Sequence, residues 1–176
     1  MSRRHASMKR RPIVADTMAL ARQRAQRVSP ADVAMQLAVV RRALAEFMRG
    51  EHCPQHWCSL ADTVNVAETL STLGLCSGAD ADRVIADAQR ALADVHTRQR
   101  QRGSWTLYAD EIDALGWLLQ VFATQLAAAS YGEMHTAITR TAERMRQALA
   151  GNASATTAVV VGELSDPRRF DQATPA

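Results

Sequence analysis

Four side chains of metal-binding type crowd into the heptapeptide His52-Cys53-Pro54-Gln55-His56-Trp57-Cys58. Zinc takes such thiolate and imidazole ligands tetrahedrally, and a structural site pairs two ligand knuckles from separate parts of the chain. No second Cys/His pair stands elsewhere in the sequence: Cys76, His96 and His135 are isolated. Pro54 suits the first position of a helix, which sets His56 and Cys58 about 200° apart around its axis. A zinc site built from His52, Cys53, His56 and Cys58 is therefore the third reading of this chain, and the expectation is no metal and no cofactor. The odd cysteine count, without a secretory leader pattern, argues against a disulfide framework and for a reducing cytoplasm.

The other chemistry-bearing groups are charges. Arg98, Arg100 and Arg102 stand beside Trp105 and Tyr108, a basic-aromatic juxtaposition that could stack and neutralise single-stranded nucleic acid. Cations at the C-terminal end of a helix also have an electrostatic reason to be there. Arg140 and Arg144 share a face at i, i+4. Residues 1–27 carry Arg3, Arg4, Lys9, Arg10, Arg11, Arg22, Arg24 and Arg27 against Asp16 alone, so a basic arm precedes a mildly acidic body. Such an arm attracts polyanions by counterion release. The carboxylates Asp80/Asp82 and Asp110/Glu111/Asp113 open helices, where they offset the helix dipole without any acid–base work. No G-x-S-x-G elbow, glycine-rich phosphate loop or E-x-x-H motif is present. The expectation is a protein that is not an enzyme.

The elements that must position these groups read as helices. With 47% apolar and 22% charged residues, the composition is that of a globular protein, and strand-like alternation is nearly absent. No run of 18 apolar residues suggests a membrane span. Val33, Leu37, Val40, Leu44 and Phe47 step by helical intervals, with Ser29 as N-cap and Pro30 in the first turn. A second helix from Pro54 to about Leu73 turns Trp57, Leu60, Ala61, Val64 and Ala67 or Glu68 inward, with Asn65 at the edge of that face. A third, from about Ala79 to Arg100, uses Val84, Ala88, Ala91 or Leu92, and Val95, and breaks at Gly103. The strongest periodicity, Ile112, Leu115, Leu119, Phe122, Leu126 and Ala129, marks the helix expected to be most buried. Ser130 and Glu133 form a capping box that opens a fifth helix, with Met134, Ala137, Ile138, Thr141, Met145 and Ala148 inside. Residues 13–28 offer a further Arg-rich helix with a thin apolar face. The expected fold is all-α: a compact bundle of four to five mostly antiparallel helices over residues 29–151. A flexible basic arm (1–28) precedes it and a disordered tail (152–176) follows.

Gly50, Trp57, Leu60-Ala61-Asp62, Asn65-Val66-Ala67, Gly103-Ser104-Trp105, Glu111, Leu115, Gln125-Leu126 and Glu133 together resemble a group of small all-helical proteins. These are carried by prophages, plasmids and integrative elements of proteobacteria. The resemblance spans about residues 33–147. It implies an accessory protein of a mobile element acting in a bacterial cytoplasm, and carries over no catalytic residue. The function expected first is binding to another protein, a host protein such as a defence complex or a second copy of the chain. The alternative is a nucleic-acid-binding accessory using the arm with Arg98, Arg100, Arg102, Arg140 and Arg144. No membrane partner is expected.

Overall fold

A computed structural model describes residues 17–49 and 54–150. Six helices occupy them: α1 Thr17–Ala25, α2 Pro30–Met48, α3 Pro54–Thr72, α4 Ala79–Arg102, α5 Ala109–Ala128 and α6 Tyr131–Leu149. The fold class is all-α as expected, and the six helices exceed the four to five expected for the bundle. The sixth, α1, falls within the Arg-rich segment 13–28 and buries none of its residues, in keeping with the thin apolar face of that segment. The arm's first 16 residues, Gly50 and the region from 151 onward lie outside the described residues.

Local chemistry sets the boundaries. Ser29 Oγ accepts from the Asp32 N–H at 3.1 Å with Pro30 behind it, which starts α2. The Ser130/Glu133 capping box is closed both ways: the Glu133 N–H donates to Ser130 Oγ, and the Ser130 N–H donates to Glu133 Oε2 at 2.7 Å. Gly103 ends α4 in the left-handed conformation (φ 66°), which glycine adopts without a Cβ clash. Before α2 the chain runs beside the α5–α6 junction, where the Val28 N–H donates to the Ala129 carbonyl and the Tyr131 N–H to that of Gln26.

α3 is the hub. It packs against α2, α4, α5 and α6, while α1 lies on α6. It is antiparallel to α4. Trp57 Nε1, near its start, donates to the Leu92 carbonyl at 3.2 Å, and Ser71, near its end, donates to Asp82 at 2.6 Å. Ten α3 residues are buried against seven in α5, so α3 and not α5 is the most buried helix. Its sequence conceals this because four of the residues it buries, Thr63, Asn65, Thr69 and Ser71, are polar. The Thr69 hydroxyl donates to the Asn65 carbonyl at 2.9 Å and accepts, also at 2.9 Å, from the Thr141 hydroxyl, which lies 3.4 Å from the same carbonyl. Gln125, fully buried on α5, donates through Nε2 to the carbonyls of Ala67 and Leu75.

The core is one cluster running from Leu37 to Ala137. At one end Trp57, Trp105 and Phe47 pack with ring centroids 6.2–6.4 Å apart, and His96 tilts against Trp57 at 5.7 Å. Trp105 comes from the α4–α5 connection and plugs this end. The expected inward faces of α2 to α5 are buried or half-buried, with Ile85 and His96 added. Ile138 is a correction. Expected inside, it is 54% exposed, because α6 turns Ala137 and Thr141 toward α3. Among the described residues no helix is long and apolar enough to cross a membrane.

Candidate interaction surface

Two open clefts among the described residues offer surface to a partner. The first runs between α4 and α5, with a volume of about 390 Å³. On α5, Asp110, Asp113, Ala114 and Trp117 follow i, i+3, i+4, i+7 and so share one face; Asp87, Ala91 and Asp94 do the same on α4. These side chains line the cleft with Val84 and Arg90. Arg90 is paired with Asp87 at 2.9 Å. The cleft is therefore acidic, and Trp117 stands on it 65% exposed, the most exposed of the large apolar side chains described. Position 117 falls off the 3–4 seam of α5, so reasoning from the seam passes over it. The available signal is a tryptophan at an outward position, whose apolar ring and polar N–H suit an interface.

At the end of this cleft sits Arg98, which the sequence offers as a nucleic-acid contact. Its guanidinium forms a fork with Glu111, Nη2 to Oε1 at 2.5 Å and Nη1 to Oε2 at 3.3 Å. It also donates to the Thr106 carbonyl and lies 3.9 Å from the centroid of the Tyr108 ring. The two side chains of the pair are only 11% and 6% exposed. Glu111 accepts the Tyr108 N–H at 2.7 Å as well, which caps α5. The pair holds the Arg98 proton more tightly than an exposed guanidinium would, first through its hydrogen bond to Glu111. Arg98 thus locks the α4–α5 connection. Arg144 is likewise engaged, with Glu68 at 2.6 Å. Arg100, Arg102 and Arg140 are exposed. Arg3, Arg4, Lys9, Arg10 and Arg11 lie outside the described residues.

The second cleft, about 240 Å³, lies among α2, α3, α5 and α6. Val40, Val66 and Phe122 line it together with Val39, Met134 and Ile138. Asp62 is the one ionisable group in it. Its carboxyl keeps solvent contact, yet the apolar walls strip enough water to raise its pKa above the ordinary carboxylate range. Trp57 and Trp105 form the aromatic end of the core, Gln125 bonds across to α3, and Glu111 and Glu133 cap helices. Asp62 has no role of this kind.

Of the four metal candidates, His52 and Cys53 lie outside the described residues. His56 and Cys58 sit in the first turns of α3, both half-buried. The Nδ1 of His56 is buried and has no hydrogen-bond partner among the described residues. Among the described residues no group of three or more His, Cys, Asp or Glu side chains is arranged to hold a metal ion. No protein-family model, no curated protein and no solved structure matches the chain.

Proposed function

We propose that this chain is a non-enzymatic binding protein whose α4–α5 cleft recognises a cationic segment of another protein. The observation that carries the reading is Trp117, an exposed indole standing among Asp87, Asp94, Asp110 and Asp113. Tryptophan anchors dominate interface energetics, and an arginine or lysine laid over an indole gains cation–π energy of about 0.5–2 kcal/mol. The surrounding carboxylates supply steering and pair with flanking cations, so association weakens as salt rises. The mobile-element resemblance adds context: an accessory protein in a bacterial cytoplasm, with a basic face of a host defence or replication complex as its partner. Titration with a short arginine-rich peptide, followed by calorimetry at low and moderate salt, tests the reading. Trp117→Ala and the pair Asp110→Asn/Asp113→Asn should each weaken binding about tenfold or more. Equal affinity in all three proteins overturns the proposal.

The alternative, a nucleic-acid accessory, would use the basic arm with Arg100, Arg102 and Arg140. Two of its five helix arginines, Arg98 and Arg144, are already held by Glu111 and Glu68, which favours the first reading. Binding of single-stranded RNA that is lost on deleting residues 1–27, with Trp117→Ala inert, would favour the second.

A further inference from the structure

From Val33 to Val40, α2 carries no charge at all (Val-Ala-Met-Gln-Leu-Ala-Val-Val), although only Leu37 and Val40 of this run are buried. A helix apolar on every side belongs in an interior. Here the outer side faces water: Met35 and Val39 are each 58% exposed, flanked by the exposed Ala31, Ala34 and Ala38. At 100° per residue, Asp32, Met35, Val39 and Arg42 fall within an arc of about 80°, a single outer seam.

The order along that seam is acid, apolar, apolar, base. Its positions are symmetric about residue 37, so an antiparallel copy rotated about a two-fold axis at that level sets Asp32 opposite Arg42 and Met35 opposite Val39. Each contact then occurs twice, as an isologous interface demands. The charged ends lie about 15 Å apart along the helix. Both carry spare hydrogen-bonding capacity. Tyr131 and Ser29 donate to Oδ2 of Asp32, at 2.5 and 2.8 Å, and no described residue donates to Oδ1. Arg42 donates to Glu46 through Nε at 3.3 Å, and its terminal nitrogens donate to no described residue. Val39 also rims the cleft lined by Val40, Val66 and Phe122, which offers room beside it for the partner's Met35.

We propose that the outer seam of α2 is the two-fold interface of a homodimer, with Asp32, Met35, Val39 and Arg42 of one copy meeting Arg42, Val39, Met35 and Asp32 of the other. The occupant is a second copy because the seam complements itself in both charge and shape when reversed. This interface is separate from the α4–α5 cleft and stands or falls independently of it. With four residues a side, the interface is small and the dimer it forms is a weak, transient one.

Sedimentation equilibrium of the full chain tests this with two variants at exposed positions, Met35→Lys and Val39→Glu, each checked for unchanged helical circular dichroism. Wild type is expected to be dimeric at about 100 μM, and each variant alone to dimerise at least about tenfold more weakly. Mixed in equal amounts, the two variants are expected to recover a dimer. The ammonium introduced in one then faces the carboxylate introduced in the other, while the second Met–Val pair is intact. A monomeric wild type overturns the proposal. So do variants that dimerise as wild type does, and a mixture no better than its components, which would reject the antiparallel register.

Discussion

Replacing Arg98 by methionine separates the two views of that residue. If Arg98 is a nucleic-acid contact, its loss leaves the fold untouched. If it is the lock between α4 and α5, the substitution strands the Glu111 carboxylate, which is 6% exposed and keeps only the Tyr108 N–H as a described partner. Removing one member of a buried, forked ion pair costs about 3–5 kcal/mol, most of it from the uncompensated charge. The lost stacking on Tyr108 adds little, because that ring is half in solvent. For a body of this size the change corresponds to a fall in Tm of roughly 10–20 °C. The double variant Arg98→Met/Glu111→Leu removes both charges and forfeits only the cap on α5, so it should recover to within about 1–2 kcal/mol of wild type. Urea unfolding at pH 7 reads both numbers. A single variant within about 1 kcal/mol of wild type, or a double variant no better than the single, refutes the reasoning.

Three further outcomes follow from the same contacts. Asp62→Asn should raise Tm slightly at pH 7, on the order of 1 °C, because a carboxyl whose folded pKa is raised is destabilising once ionised. The difference should vanish at a pH below the unfolded carboxyl's pKa; a gain that persists there contradicts the assignment. Glu133 and Asp32 behave oppositely. The Ser130 N–H and hydroxyl hold the first below its ordinary range, and the Tyr131 and Ser29 hydroxyls the second. Their stabilisation is present at neutral pH and fades as pH falls below the unfolded carboxylate range through their lowered pKa values. Glu133→Gln should therefore flatten the acid limb of a Tm–pH profile, and an unchanged limb rejects this. At Gly132 a Cβ would meet the Arg24 carbonyl oxygen at 3.0 Å. Gly132→Ala should speed amide exchange across α1 while changing global stability by less than about 0.5 kcal/mol, since α1 is peripheral. Unaltered α1 exchange would show that α1 tolerates the contact.

The helices that face a continuous core were legible because each carries one apolar stripe bounded by a cap: Ser29 before α2, Ser130 and Glu133 at α6, Gly103 after α4. What escaped did so for physical reasons. α1, within the Arg-rich segment 13–28, buries nothing, so its bounds leave no stripe to read. α3 is central, yet it packs through hydroxyls and an amide, which a hydrophobic seam does not register. Ile138 has helical spacing but lies on the side of α6 away from α3. Arg98 and Arg144 look like free cations in sequence because their acids, Glu111 and Glu68, come from other helices. The outer face of α2 lies off the seam of Leu37 and Val40, so it gains weight only once the exposure of Met35 and Val39 is known.

The claim that the α4–α5 cleft is where this protein meets a partner is tested most directly by tryptophan fluorescence. Trp57 and Trp105 are buried and Trp117 is exposed, so a quencher or ligand arriving from solvent reports chiefly on Trp117. Adding an arginine-rich peptide should change the wild-type emission saturably and reversibly with salt, and leave the Trp117→Phe protein unchanged. An emission change of the same size in Trp117→Phe, or none in wild type at peptide concentrations up to about 1 mM, would contradict it.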